Sequence, residues 1–210
     1  MSVSDQPQKP KPRSKSEEKR ENILRSATAL FLRQGFAVTT MDQVADQAGV
    51  SKQTVYSHFG GKDTLFKSCI EKRCDQNPAL SGHDFDFDDL QRSFEQLLYA
   101  FTDLICSPEA ISVHRICAAE AETTPQLSQL FYNAGPLRVK TEMSHLMEEI
   151  QRRKLLTIDE PYEAGLQLLA MVQGDLKLRY ELNIEPLPTQ EERYAFVKKC
   201  VAVFLKGYGK

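Results

Sequence analysis

The twenty residues from Thr40 to Phe59 constrain this chain more tightly than any other stretch, because they spell two short amphipathic helices joined by a glycine turn. Thr40 followed by Gln43 forms a capping box, in which the hydroxyl and the amide side chain satisfy backbone N–H groups that a first helical turn leaves unpaired. Val44, Ala45 and Ala48 then fall three and four residues apart on one face. Gly49 supplies the left-handed backbone that stops this helix without steric cost. Ser51 caps the next helix, which turns Val55 and Phe59 inward and leaves Lys52, Gln53, Thr54, Tyr56, Ser57 and His58 largely outward. That outer face is rich in hydrogen-bonding groups and carries few charges that would repel a polyanion. The unit reads as a helix-turn-helix whose second helix can enter the major groove of DNA.

The flanking residues support such a unit. From Glu17 to Gln34, Ile23, Leu24, Ala27, Leu30 and Phe31 recur at helical spacing before Gly35, which predicts a helix against which the pair packs. Gly60-Gly61 breaks the second helix, and Lys62-Asp63 opens another whose inner stripe is Leu65, Phe66, Cys69 and Ile70. Lys62 sits badly there, because a cation near a helix N-terminus opposes the macrodipole, and a bound phosphate would relieve the conflict. The turn Gly35-Phe36, then Thr39-Thr40, Ala48-Gly49-Val50, Thr54-Val55-Tyr56-Ser57-His58-Phe59, Lys62-Asp63 and Leu65-Phe66 together resemble the TetR family of bacterial one-component regulators. The resemblance covers roughly Glu17 to Arg73; beyond it only the general layout matches. It implies an all-α chain with an N-terminal three-helix DNA-binding domain and a C-terminal helical ligand-binding and dimerisation domain. It also implies a phosphate contact for Lys62.

The expected partition is a basic disordered tail over 1–16, a DNA-binding domain over 17–75 and a ligand-binding and dimerisation domain over 76–210. Charge agrees with it: thirteen Lys or Arg stand against nine Asp or Glu up to Asp75, and fourteen against twenty after it. The basic end is the DNA end. Lys9-Pro10-Lys11-Pro12-Arg13-Ser14-Lys15 is the one dense cationic patch, suited either to touching phosphates or to mere solvation. A hydrophobic share of 41% with 27% charged residues describes a chain able to bury a core. No apolar run approaches a membrane span and no signal segment opens the chain, so the expected location is the cytoplasm. Cys69, Cys74, Cys106, Cys117 and Cys200 lack CxxC spacing and read as small buried hydrophobes, with redox sensing as the alternative. His114 and Cys117 have no second ligand pair, so no metal or other cofactor is expected. The acidic group Asp84, Asp86, Asp88 and Asp89 lies at a helix start and reads as dipole partners, which leaves no catalytic constellation and no enzyme.

After a linker from Asp75 to Asp84 the pattern is helical throughout, and about nine helices are expected in all. Starts are signalled at Ser107-Pro108, Thr124-Pro125, Gly135-Pro136, Asp159 with Pro161, and Thr189 with Glu192. Tyr162–Leu182 and Tyr194–Leu205 carry apolar surfaces too wide for one core, with Leu169 and Val201 near their centres. They are the expected homodimer interface. Phe94, Phe101, His114, Cys117, Phe131, Met143, Met147 and Gln173 mix aromatic, soft and hydrogen-bonding groups in the region where the family resemblance implies a ligand, and a small hydrophobic effector is expected there. The functional expectation is a repressor that binds a palindromic double-stranded operator as a homodimer and is released by that effector. Thr40, Tyr56, His58 and Lys62 are expected on phosphates, and Lys52, Gln53, Thr54 and Ser57 on base edges. The competing DNA-binding reading is a non-regulatory architectural protein.

Overall fold

In a computed structural model, residues 14–76 and 84–209 are described, and they form ten helices with no strand among them. These are α1 (Lys15–Gln34), α2 (Met41–Ala48), α3 (Lys52–Phe59), α4 (Lys62–Asp75), α5 (Leu90–Ile105), α6 (Pro108–Ala119), α7 (Pro125–Ala134), α8 (Pro136–Arg152), α9 (Pro161–Leu182) and α10 (Gln190–Tyr208). Most of the expected tail, 1–13, and of the expected linker, 77–83, lies outside the described residues. The helix α1 begins two residues before the sequence reading has it, because Ser14 and Glu17 form a capping box.

Punctuation in the sequence is matched by punctuation in space. Thr40 and Gln43 form their capping box, and Gly49 takes a φ of 65° at the end of α2. Ser51 caps α3 by accepting from the Thr54 N–H. Asp89 caps α5, and α6, α7, α8 and α9 each place a proline in the first helical turn, where its missing N–H costs nothing. Thr189 and Glu192 close a third capping box before α10.

Two apolar cores result. The smaller joins Ile23, Leu24, Leu30 and Phe31 of α1 to Val44 and Ala45 of α2, Val55 and Phe59 of α3, and Leu65 and Phe66 of α4. Its centre is an aromatic trio, Phe31, Phe36 and Phe66, with ring centroids 5.2 to 5.6 Å apart. This core does not stop at residue 75: Cys117 of α6 and Leu127 of α7 are buried in it, with Phe131 packed alongside. The larger core is drawn from α5, α8, α9 and α10. Within it α8 and α9 cross so closely at Gly165 that an added Cβ would meet Met143 Cγ at 2.9 Å.

The helix α9 is bent rather than straight, since Gly174 adopts φ 34° and ψ −137°, open only to glycine. Leu169 and Val201, near the centres of the two broad apolar surfaces and open either to the partner or to the subunit core, are buried in the core, at 3% and 0% exposure. Helical phase explains the outcome. The large apolar groups left outside on α9 and α10 are Tyr162, Leu178, Leu182, Phe196 and Val203, with Ile184 between the helices.

Candidate nucleic-acid interface and effector region

The helix α3 is fixed by Val55 and Phe59, both buried, and by the Arg20 guanidinium lying over the Phe59 ring. Anchoring on those two positions, four residues apart, turns Lys52, Gln53, Tyr56 and Ser57 to solvent and leaves Thr54 and His58 half-buried. The Thr54 hydroxyl lies 2.8 Å from that of Ser51, and the Ser57 hydroxyl donates to the Thr54 carbonyl at 2.9 Å. Gln53 and Tyr56 are exposed polar groups available to a partner. Thr40 accepts from the Gln43 N–H and donates its own N–H to the Gln43 side chain, so its hydroxyl proton remains for an acceptor outside the protein.

The two lysines of this surface are both engaged. Lys62 Nζ donates to the carbonyls of Phe36 at 2.9 Å and Ala37 at 3.1 Å and sits 4.4 Å from the centroid of the Phe36 ring. The conflict between Lys62 and the α4 dipole is therefore relieved within the chain, by carbonyls of the α1–α2 loop, without a phosphate. Lys52 Nζ lies 2.7 and 3.0 Å from the two carboxylate oxygens of Asp42. That hydrogen bond, with the charge behind it, holds the ammonium above the usual lysine value. Sequence reading missed Asp42 because the pair bridges ten residues across the turn, a spacing that no single-helix rule marks. The loop before α2 is also tied by Thr39, which donates to the Gly35 carbonyl, and by Gln34, whose amide donates to Gln43.

The eight residues expected around an effector divide between the cores. Phe94 and Phe101 of α5 and Met143 and Met147 of α8 meet in the larger core, all buried. Cys117 belongs to the smaller core, and Phe131 packs against it. The His114 ring meets Phe131 edge-on at 5.9 Å, and its Nδ1 lies 3.0 Å from Glu181. Burial chiefly, and the nearby Lys177, push His114 below the usual histidine value while Glu181 opposes them. Gln173 turns back to the Leu169 carbonyl of its own helix, just before the bend at Gly174. Phe94, Phe101, Met143 and Met147 are thus the set that the fold brings together.

All five cysteines are free; Cys106, Cys117 and Cys200 are buried as expected, whereas Cys69 and Cys74 are only partly buried. Desolvation pushes Cys69 and Cys106 up to about 11 and Cys117 up to about 12, far from the thiolate state that reactive cysteines use. Among the described residues no three His, Cys, Asp or Glu are grouped to hold a metal ion, and no helix is long and apolar enough to cross a membrane.

Residues 23–69 match the family model for bacterial regulatory proteins of the tetR family. Residues 92–210 match the model for the C-terminal domain of AefR-like transcriptional repressors. The HTH-type transcriptional repressor BepR of Brucella suis is 30% identical over 174 residues, which are 78% of this chain and 82% of that protein. The HTH-type transcriptional regulator SrpR of Pseudomonas putida is 33% identical over 97 residues, 46% of this chain and 44% of that protein, so the match spans less than half of SrpR. Among solved structures, the flavonoid-responsive regulator FrrA superposes with a TM-score of 0.72 at 30% identity, covering 91% of this chain and 97% of that one.

Proposed function

The chain belongs to the TetR family of DNA-binding transcriptional regulators, and on that premise we propose that it is a repressor, binding a palindromic operator as a homodimer and releasing it when a small hydrophobic molecule enters the larger domain. The observation that carries the reading is α3. Its Val55 and Phe59 anchors are buried, its Ser51 cap is made, and its remaining face is polar and exposed. Such a helix presents hydrogen-bonding groups at the width of a major groove. Tyr56, Thr40, His58 and Lys62 would take phosphates, with Gln53, Thr54 and Ser57 toward base edges, while Lys52 shares that face with its ammonium held by Asp42. For Lys62 the proposal requires the ammonium to exchange or share its two carbonyls; while they hold it, it acts by fixing the α1–α2 loop.

Support for the dimer comes from the apolar side chains left outside on α9 and α10, Leu178, Leu182, Phe196 and Val203. A second copy meeting the same surface would cover them and set two α3 helices on one side of a duplex. Support for effector control comes from the shared smaller core. Because Cys117 and Leu127 are buried with α1 and α4, a shift of α6 and α7 is felt directly by the DNA-binding helices. An effector acts only if it binds the releasing conformer more tightly than the DNA-bound one. Its proposed walls are the apolar groups of α5 and α8. The thiols, three of them buried and all five held above the ordinary cysteine value by desolvation, favour this reading over a cysteine-based redox sensor.

The test is a pair of substitutions on α3. Tyr56→Ala should weaken binding to every sequence, since a phosphate contact positions without specifying, whereas exchanging Gln53 should change base preference at one position per half-site. Unchanged affinity in a folded Tyr56→Ala protein would refute the assignment of α3.

A further inference from the structure

The surface that faces DNA in this reading is short of free charge. From Ser14 to Asp75 ten Lys or Arg face eight Asp or Glu, and the three cations beside the helix-turn-helix each have a partner. Arg20 lies over Phe59, Lys62 reaches the Phe36 and Ala37 carbonyls, and Lys52 is paired at both oxygens of Asp42. The Lys52–Asp42 pair has a local cause. Asp42 sits in the first turn of α2, where an anion is favoured, and Lys52 is the first residue of α3, where a cation is not. The turn at Gly49 brings the two together, so the carboxylate offsets what the α3 dipole opposes. Both side chains stay more than half exposed, at 57% and 60%, so the pair belongs to the surface a duplex would meet.

We propose that Asp42 is a specificity-determining residue: by holding the Lys52 ammonium it withholds one cation per subunit from the DNA phosphates, so that binding depends on base contacts rather than on charge. The inference rests on the reading of α3 as the groove-facing helix. For Lys52 to grip a phosphate, its pair with Asp42 must open and leave a bare carboxylate beside the polyanion. Non-specific binding is supplied almost entirely by such phosphate contacts, and the specificity ratio is measured against it. A device that lowers non-specific affinity while leaving Gln53 and its neighbours in position raises discrimination without any new contact. An exposed ion pair contributes little to folding, so its value to the fold is slight.

The experiment measures binding to two duplexes by fluorescence anisotropy at several salt concentrations: a random-sequence pool, and the sequence that the wild-type protein selects from that pool. Asp42→Asn should bind the pool more tightly, with a salt slope steeper by about two units per dimer, since each phosphate contact adds about 0.9. Its affinity for the pool should then fall about tenfold further than that of the wild type between roughly 50 and 200 mM salt, and its preference for the selected sequence should drop. Asp42→Glu, which keeps the pair, should behave as wild type. In a Lys52→Met background, Asp42→Asn should change the slope by less than half as much, because no ammonium is there to be freed. An unchanged slope in Asp42→Asn, an equal change in the Lys52→Met background, or a loss of affinity for both duplexes would overturn the proposal. Lys52→Met alone separates the two readings: it bares the Asp42 carboxylate, which should weaken binding to both duplexes if this face meets DNA, and unchanged binding to both would refute the groove-facing assignment of α3 itself. Circular dichroism confirms that each variant is folded.

Discussion

Shortening Leu127 to alanine should loosen the DNA-binding helices, although Leu127 lies on α7, more than fifty residues beyond the end of α4. The side chain has no solvent exposure and is buried with Ile23, Leu24, Leu65 and Phe66. Losing three methylene-sized groups costs about 2.4 kcal/mol at roughly 0.8 each before any cavity is counted, and measured buried Leu→Ala changes span about 2–5 kcal/mol. Collapse around the gap is restrained, because the Ser128 hydroxyl donates to the Cys117 carbonyl at 3.1 Å and ties α7 to α6. The assay is native-state amide hydrogen exchange. A loss of 2 kcal/mol corresponds to exchange about 30-fold faster in the core amides of α1 and α4. Leu168→Ala, which removes an equally buried group from the larger core, should spare those amides by comparison. Faster exchange confined to α7, with α1 and α4 unaffected, would refute the idea that α6 and α7 complete the DNA-binding core.

Two further outcomes follow from the same geometry. Val203→Glu places a charge on a side chain 62% exposed in the subunit, so it should leave the fold intact, convert the dimer to monomer in sedimentation and weaken DNA binding together; a Val203→Glu protein that stays dimeric would remove α10 from the proposed interface. His114 has a folded-state value below its unfolded one, so the unfolded chain takes up the proton first. Its contribution is complete above the ordinary histidine value, about 6.5, and is lost as pH falls from there toward the folded value. The urea midpoint should therefore drop less on acidification in His114→Gln than in the wild type, and equal drops would show that His114 is not the group responsible.

What was legible in the sequence was mostly local. The capping boxes at Thr40 and Thr189, the glycine at the end of α2, the prolines opening α6 to α9 and the Val55–Phe59 anchor all depend on residues within a turn of one another, and the structure contains each. The family match over 92–210 bears out the second, helical domain as well. Relations across distance were less legible. Leu169 and Val201 belong to broad apolar stripes in which periodicity marks the apolar residues but not which edge of the stripe faces its own subunit. Cys117 reads as an effector-region residue by its neighbourhood in the chain, whereas the path of α6 carries it into the DNA-binding core. Position alone marks Lys62 as a cation in an awkward place, but the carbonyls that answer it come from residues 36 and 37. The bend at Gly174 has no cue either, since an isolated glycine in a helical pattern is commonly tolerated.

The central claim is that two copies of α3 read one palindrome together. Hydroxyl-radical footprinting of the wild-type protein on the sequence it selects from a random pool tests this directly. The account predicts two protected half-sites on one face of the duplex, with centres about one helical turn, or a whole number of turns, apart. A single undivided patch of protection, the same at every concentration that gives binding, would contradict it.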